Sequence, residues 1–276
     1  MGRDMTAARL EGKAALVTGA ARGQGRAFAV RLAREGADII AVDVAAPLPS
    51  VSYPPATPED LAHTAALVES ADRRVVTARC DVRDLPGLTE AVEQGVAELG
   101  RLDVVVGSAG ICVPAAWDDV SAEIFDDTMS INVRGVWNTV MAGVPHLIAA
   151  GGGSVILISS TAGLKVQPFL LPYTASKWAV RGMAKAFAAE LARYGIRVNS
   201  VHPTGVKTGM TSPEMIDTFE RGVADNPRIG PMFTRLLDVD VMEPEDVADT
   251  VLFLASSESR YITAHEMAVD AGVSAF

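Results

Sequence analysis

Apolar and polar positions along the chain form blocks that alternate between strand-like and helix-like spacing. Strand-like runs, most of them mainly apolar, occur at 14–19, 38–44, 75–82, 102–106, 154–159 and 196–201, and residues 266–270 are a possible last strand. Longer segments with apolar residues at helical spacing lie between them, at 26–35, 59–71, 85–99, 122–150, 173–194 and 245–256. Strands without alternation are typical of a parallel sheet covered on both faces, and their alternation with helices indicates βαβ units. The pattern therefore predicts an α/β fold, with a doubly wound parallel sheet of about seven strands and helices on both faces.

Two segments interrupt this rhythm. Residues 45–58, the insert, hold five prolines and are predicted to form a loop. Residues 204–241, the lid, have mixed polarity with Gly and Pro and are predicted to form a lid or short helices over a site. No break in composition divides the chain, so residues 1–276 are predicted to form a single domain.

Charge and composition exclude several classes of function. Lys and Arg total 24 against 34 Asp and Glu, a net charge of −10, which disfavours nucleic acid and anionic membranes as partners. Cys80 and Cys112 do not have the spacing of metal ligands, so we expect no metal site. We expect both thiols to pack as small hydrophobic side chains in a protein of the reducing cytoplasm. Residues 1–11 contain no apolar segment of signal-peptide length, and no apolar run reaches the roughly 18 residues of a transmembrane helix.

The first strand leads into a glycine-rich turn. Residues 18–25 have the spacing G-x-x-x-G-x-G, and the candidate cofactor contacts in this turn are Gly19, Arg22, Gly23, Gln24 and Gly25. Glycines permit a tight turn and a close approach of pyrophosphate, and the following helix N-terminus offers free N–H groups. An ordinary strand-to-helix turn is the alternative, because one glycine motif alone is weak.

An acidic residue strengthens the case for a dinucleotide. Asp43 ends the second strand, where a carboxylate accepts hydrogen bonds from the adenosine ribose and repels a 2′-phosphate. No arginine follows Asp43 directly, which favours NAD over NADP, although Arg22 is placed to contact phosphate. The remaining candidate cofactor contacts at strand ends are Val44, Asp81, Val82, Ser108, Ala109 and Gly110.

Tyr173 and Lys177 carry the candidate chemistry. They lie one turn apart at the start of a helix and so share a face. A nearby ammonium lowers the pKa of a phenol, and a phenol tuned in this way exchanges a proton with an alcohol oxygen. Ser160, at the end of the fifth strand, is the candidate for binding that oxygen, with Ser159 and Thr161 as competing hydroxyls. A surface helix pair is the plain alternative for Tyr173 and Lys177.

Asn132 lies inside a long helical segment, where asparagine is unfavourable. This predicts a local bend with a bond to water or to the backbone, and a surface asparagine is the alternative. His202 lies beside Pro203 at a strand end, where a packed histidine competes with a substrate contact. Candidates for an apolar substrate pocket are Trp117, Trp178, Met210, Met215, Met232 and Phe233, with core or subunit packing as the alternative for the tryptophans.

Together these features resemble the short-chain dehydrogenase/reductase family, in which similar motifs follow in this order. The motifs are 18–25, Asp81, 108–110, Asn132, Ser160, Tyr173, Lys177 and 203–205, and the likeness covers about residues 12–272. It implies a single Rossmann-like domain, usually a homotetramer, with Asn132, Ser160, Tyr173 and Lys177 as the catalytic set. By this likeness Asn132 holds a water in a proton relay to Lys177, and the late cofactor contacts are Pro203, Gly205, Val206 and Thr208.

A narrower likeness is to the mycofactocin-associated, carveol dehydrogenase-like members of that family. It rests on the glycine-rich turn, the Pro-rich insert, and the phrases at 40–43, 203–206 and 269–272. It implies an insert that covers a slowly exchanging NAD, which a peptide-derived partner reoxidises in place. One departure is Ser108, where the family usually has an asparagine whose amide ties the central strands together, and this puts local stability or cofactor placement in question.

Three functions follow as hypotheses. The first is an NAD-linked dehydrogenase or reductase acting on an apolar secondary alcohol or ketone. The second is a 3-oxoacyl-[acyl-carrier-protein] reductase, which needs a basic docking patch and usually NADPH, and the acidity and Asp43 argue against it. The third is a non-catalytic NAD-binding protein, which is expected to have a broken Ser-Tyr-Lys set, whereas this one is intact.

Overall fold

A computed structural model describes residues 8–275 and places every predicted strand in one sheet. The strands are β1 (Ala14–Thr18), β2 (Asp38–Asp43), β3 (Val75–Arg79), β4 (Val104–Gly107), β5 (Gly153–Ile158), β6 (Ile196–Pro203) and β7 (Glu266–Val269). All neighbouring pairs are parallel, and the order across the sheet is β3-β2-β1-β4-β5-β6-β7. This is the doubly wound topology that the apolar runs predict.

Helices connect the strands and cover both faces. They are α1 (Gly23–Arg34), α2 (Pro58–Glu69), α3 (Leu85–Leu99), α4 (Ala122–Met129), α5 (Gly135–Ala149), α6 (Leu171–Leu191), α7 (Pro213–Asp225) and α8 (Pro244–Ala255). No helix in the described range 8–275 is both long and apolar enough to span a bilayer. The first seven residues and Phe276, which belong to the predicted domain, lie outside the described residues.

Burial explains why the central strands are apolar throughout. Every residue of β1, β2 and β4 is buried, whereas the edge strands β3 and β7 are only partly covered. One core cluster packs α1 and α8 against the sheet, with Phe28 and Leu252 fully buried. The other packs α3, α5 and α6 against the opposite face, with Leu88 and Leu147 fully buried. A strand covered on both sides has no face left for polar residues.

The chain reverses its direction of winding at β1, which pairs with β2 on one side and β4 on the other. Crossovers diverge at such a point, so a crevice opens at the carboxyl ends of the strands. The insert, which lies between β2 and α2, and the lid, which contains α7 and the 3₁₀ turn Pro227–Phe233, both follow strands at this edge. The sheet thus brings the glycine-rich turn, the insert and the lid to one crevice.

Candidate active site

The glycine-rich turn makes a tight cradle at the start of α1. Gly19 and Gly23 have positive φ angles of 71° and 55°, which glycine adopts without strain. A Cβ at Gly19 would lie 2.9 Å from the Cα of Ala109, and one at Gly25 would clash with the carbonyl oxygen of Gly19. Arg22, the N-cap of α1, makes no side-chain capping bond. The turn therefore leaves helix N–H groups available to an anion.

Asp43 connects this turn to the insert. Its Oδ2 accepts a hydrogen bond from Ala21 N at 3.0 Å, and its Oδ1 accepts one from Ala45 N at 2.9 Å. The residue is buried, with 8 % exposure, yet it lines the crevice. A carboxylate oxygen has a second lone pair, so Asp43 can hold the turn and still accept a bond from a ligand.

Most of the predicted cofactor contacts line a single cavity. Those in its wall are Gly19, Arg22, Gly23, Gln24, Gly25, Asp43, Val44, Asp81, Val82, Ser108, Ala109, Gly110, Tyr173, Lys177 and Thr208. Pro203, Gly205 and Val206 are not in that wall. The side chain of Val206 instead belongs to the core beside α8, with 5 % exposure. At Val206 only the backbone remains for a ligand contact.

Tyr173 and Lys177 meet at the inner end of this cavity. Lys177 is 4 % exposed, and its Nζ donates to the carbonyl oxygen of Ile158, at the end of β5, at 2.9 Å. That Nζ lies 5.3 Å from the ring centroid of Tyr173. The amine therefore faces the tyrosine ring and is held by a strand end, which excludes a freely solvated surface pair.

The predicted lowering of the Tyr173 pKa is wrong for this structure. Burial raises the pKa of the phenol above its ordinary value, as does the charge of the nearby Cys112 thiol, and a hydrogen bond with Ser160 acts in the opposite direction. Burial also lowers the pKa of Lys177 to about 8. Because removal from water disfavours a phenolate as strongly as an ammonium, burial outweighs the attraction that the sequence spacing suggested.

Ser160 is distinguished from its rivals by its contacts. Ser159 is buried and its Oγ donates to the carbonyl oxygen of Lys177 at 2.9 Å, and Thr161 is also buried. Ser160 is only partly covered, and its Oγ lies 3.5 Å from the carbonyl oxygen of Pro203. Of these three hydroxyls, that of Ser160 is the one whose hydrogen bonding lowers the pKa of Tyr173. The structure thus brings Ser160, Tyr173 and Lys177 together.

Asn132 lies where the predicted helix is interrupted. Residues Ser130–Arg134 form a π-helical turn between α4 and α5, which confirms the predicted bend. The fully buried side chain donates from Nδ2 to the carbonyl oxygen of Ile111 at 2.9 Å, and its Oδ1 accepts from Ile111 N at 2.8 Å. Nδ2 also donates to Ser176 Oγ at 3.0 Å. Asn132 therefore joins the loop after β4 to α6. We call Asn132, Ser160, Tyr173 and Lys177 the tyrosine cluster.

Sequence reasoning did not identify Tyr53, which lies in the insert. It is 7 % exposed, and its hydroxyl accepts a hydrogen bond from Cys112 N at 3.4 Å. The guanidinium of Arg22 lies 5.9 Å from its ring centroid. Burial raises the pKa of Tyr53 to about 12, so its hydroxyl stays neutral. A tyrosine among prolines was the available signal, but its partner Cys112 lies in a distant loop.

Comparison with known proteins identifies the family. The family model described as enoyl-(acyl carrier protein) reductase matches residues 19–274. A crystal structure of a short-chain dehydrogenase from Mycobacterium paratuberculosis bound to NAD is 56 % identical, with a TM-score of 0.94 over 97 % of this chain and 100 % of that one.

The chain belongs to the short-chain dehydrogenase/reductase family.

Two further relatives carry a narrower name. Carveol dehydrogenase from Mycobacterium avium, crystallised with NAD, is 46 % identical with a TM-score of 0.91, covering 96 % of this chain and 99 % of that one. The (−)-trans-carveol dehydrogenase of Rhodococcus erythropolis is 43 % identical over 272 residues, 96 % of this chain and 98 % of the relative. The predicted family and the predicted enzyme class are thereby confirmed.

A threonine links two central strands of this dehydrogenase next to Ser108. The hydroxyl of Thr18, at the end of β1, donates to Val106 O at 3.4 Å and accepts from Ser108 N at 3.2 Å. Ala109 N donates to the same oxygen at 3.4 Å. Thr18 therefore links β1 to the end of β4 through backbone groups, whatever side chain stands at position 108.

The lid of this dehydrogenase is attached by aromatic contacts. The ring centroid of Phe169, in the loop before α6, lies 6.3 Å from that of Phe219 in α7. The ring centroid of Phe219 lies 5.2 Å from that of Phe233. Phe169 has a φ of 64°, a region that a bulky residue rarely adopts. Met210 lines the main cavity. The exposed fractions of Trp117 and Trp178 are 79 % and 45 %, which excludes core packing and leaves the substrate pocket and subunit packing as their interpretations.

Proposed function

We propose that this short-chain dehydrogenase is an NAD-dependent alcohol dehydrogenase or ketone reductase for apolar secondary alcohols. The observation that carries the proposal is the position of the tyrosine cluster. Tyr173 and Lys177 line the same cavity as the glycine cradle and Asp43. Tyr173 would then be the proton-exchanging group for a dinucleotide held by the cradle.

The residues of the cavity fit NAD. The cradle leaves no space for a side chain at Gly19 or Gly25, as a pyrophosphate lying against the backbone requires. Oε1 of Gln24, in the cavity wall, is buried without a hydrogen-bond partner among the described residues. A ligand donor would satisfy it. Asp43 favours two free ribose hydroxyls over a 2′-phosphate, and the two crystal structures compared above are NAD complexes.

Each residue of the tyrosine cluster then has a separate role in the reaction. When bound, NAD supplies the acceptor for the hydride of an alcohol, or NADH the donor to a ketone. Tyr173 exchanges the proton of the substrate oxygen, Ser160 orients that oxygen, and Lys177 sets the charge next to the phenol. Asn132 lies in the π-helical turn next to α6. We expect this turn to bind the water that begins the proton relay to Lys177. For each alcohol oxidised, one proton leaves through Tyr173.

The substrate and the fate of the cofactor follow from the walls of the cavity. The insert contributes mostly apolar residues to the wall, including Leu48, Val51 and Tyr53, and the lid contributes Met210. Such a wall favours an apolar alcohol and a cofactor that leaves slowly, since release requires the insert to move. Together with the resemblance to the mycofactocin-associated subgroup, this wall leads us to expect that a mycofactocin-type acceptor reoxidises the bound cofactor in place.

We further propose that the enzyme assembles as a homotetramer. Large apolar side chains are exposed on α4, α5 and α6, namely Phe125, Trp137, Met141, Ile148 and Trp178. Contiguous exposed apolar surface on adjacent helices marks an interaction face. Sedimentation of the wild type against Met141→Lys should show a smaller particle for the variant.

One experiment tests the proposed chemistry. The purified protein is denatured and its supernatant is examined by absorbance and mass for nicotinamide. Carveol is then offered with free NAD, with NADP, and with an artificial electron acceptor, and a small polar alcohol serves as the control. We expect bound NAD, oxidation of carveol but not of the polar alcohol, and faster turnover with the acceptor than with free NAD. Absence of NAD binding, or of any nicotinamide reduction, contradicts the proposal.

A further inference from the structure

We infer that His202 is a positioning residue that holds Ser160, and through it the substrate oxygen, in place. The inference rests on the proposed role of Ser160 as the residue that orients the reacting oxygen. His202 lies in β6 immediately before Pro203 and has no exposed surface. Like Ser160, it is not in the wall of the main cavity, and its two polar contacts are with the backbone of Ser160 and the hydroxyl of Ser200, so it reaches the site through Ser160.

Both ring nitrogens of His202 are engaged. Nδ1 lies 2.9 Å from the carbonyl oxygen of Ser160, and Nε2 lies 2.8 Å from the Oγ of Ser200. A carbonyl oxygen can only accept, so Nδ1 carries the hydrogen and donates it to Ser160. Nε2 is then the acceptor, and the hydroxyl of Ser200 donates to it. The two bonds fix both the tautomer and the ring orientation.

The imidazole is neutral in this arrangement. Burial lowers the pKa of His202, and the hydrogen bond to Ser160 only partly offsets this effect. With Nδ1 donating to Ser160, a neutral ring has Nε2 as an acceptor for the hydroxyl of Ser200, whose oxygen also lies 3.5 Å from the carbonyl oxygen of His265. His202 is therefore a fixed support for Ser160 and does not itself exchange protons with substrate.

The bond to the backbone of Ser160 controls where its hydroxyl lies. Ser160 has an extended backbone, with φ −169° and ψ 165°, at the point where β5 turns into the 3₁₀ segment Thr161–Gly163. Its Oγ accepts from Ala162 N at 3.1 Å and lies 3.5 Å from Pro203 O. His202 fixes the carbonyl of the same residue from β6, next to Pro203. Contacts from β6 and from the 3₁₀ segment thus hold both the backbone and the hydroxyl of Ser160 in place.

Two conservative variants separate positioning from general packing. In His202→Asn the side-chain amide nitrogen can occupy the place of Nδ1, whereas in His202→Gln the amide reaches the place of Nε2. We expect His202→Asn to keep kcat within about threefold of the wild type and His202→Gln to lose about tenfold, the value of one hydrogen bond. The KM for NAD should stay unchanged in both variants. Equal kcat values in the two variants would overturn the inference.

A double-mutant cycle locates the effect. If His202 acts through Ser160, adding His202→Gln to Ser160→Ala should lower kcat no further, because the supported hydroxyl is already absent. Additive losses would show a general structural effect and overturn the inference. The control is Asn199→Ala, on the same strand, which removes buried bonds to Ile262 O and His265 N and should lower stability while keeping kcat. Wild-type kcat in Ser160→Ala alone would instead contradict the proposed function.

Discussion

Tyr173 and Lys177 of the tyrosine cluster line one crevice with the cover formed by the insert and the lid, but the cluster and the cover are built differently. Polar groups of the cluster are held by short bonds to strand ends, such as Lys177 Nζ to Ile158 O at 2.9 Å. Many contacts of the cover are apolar or aromatic, with a 5.2 Å ring pair at Phe219 and Phe233 and a long 3.4 Å bond at Tyr53. Directional bonds fix atoms for chemistry, whereas apolar contacts permit opening. We therefore expect changes in the cluster to alter kcat and changes in the cover to alter ligand exchange.

The largest effect should come from Tyr173→Phe, which removes the proton-exchanging hydroxyl and little else. We expect kcat to fall by about 10²- to 10⁴-fold, the usual contribution of a general acid or base. The affinity for NAD should stay near that of the wild type when measured by titration calorimetry. A variant that turns over at the wild-type rate would remove the basis for distinguishing the cluster from the cover.

A smaller effect is expected at Asp43, where the cradle meets the insert. Asp43→Ala should weaken NAD binding by about tenfold, because one charged hydrogen bond is lost. The preference of the enzyme for NAD over NADP should also become smaller. Asp43→Asn is the matched control, since its amide oxygen can still accept from Ala21 N while the negative charge is gone. Competition titrations of both cofactors give the ratio. An unchanged ratio in both variants would show that Asp43 serves the turn alone.

The cover is tested at Tyr53. Tyr53→Phe removes only the hydroxyl that accepts from Cys112 N, and Tyr53→Ala also removes the ring next to Arg22. We expect NAD to dissociate a few-fold faster from Tyr53→Phe and about tenfold faster from Tyr53→Ala. The single-turnover rate should stay at the wild-type value in both variants. Stopped-flow displacement of bound NAD measures the rate. A loss of single-turnover rate without faster dissociation would place Tyr53 in the cluster.

The smallest effect should be on stability, at an ion pair away from the crevice. Arg181 and Lys185 hold the pKa of Glu266 at about 2, because Arg181 Nε and Lys185 Nζ lie 2.7 and 2.9 Å from its carboxylate. A carboxyl whose pKa is lowered by folding stabilises the protein above its ordinary pKa, and this contribution disappears as the pH falls from about 4.5 to 2. Glu266→Gln should lower Tm by about 2–4 °C at pH 7 and have no effect near pH 2. A kcat loss in this variant would be unexpected.

The sequence predicts more of the tyrosine cluster than of the cover. Strand positions, the glycine cradle and the bend at Asn132 follow from local rules, because burial on both faces and helix propensity act within a few residues. The Tyr–Lys spacing likewise places both groups on one helical face. The raised pKa of Tyr173 could not be predicted, since it depends first on burial in the folded chain and then on Cys112, which the fold brings from another loop. The contact of Tyr53 with Cys112 was hidden for the same reason.

The central claim is that a substrate gives its hydride to a nicotinamide held in this crevice while Tyr173 takes the proton. The most direct test is a single turnover of the cofactor-loaded enzyme with a carveol-type alcohol deuterated at its carbinol carbon, followed by mass analysis of the extracted nicotinamide. We predict that wild-type enzyme transfers the deuterium to the nicotinamide and that Tyr173→Phe transfers it about 10²-fold or more slowly. An unlabelled nicotinamide from the wild type, or equal transfer rates in the two proteins, would contradict the account.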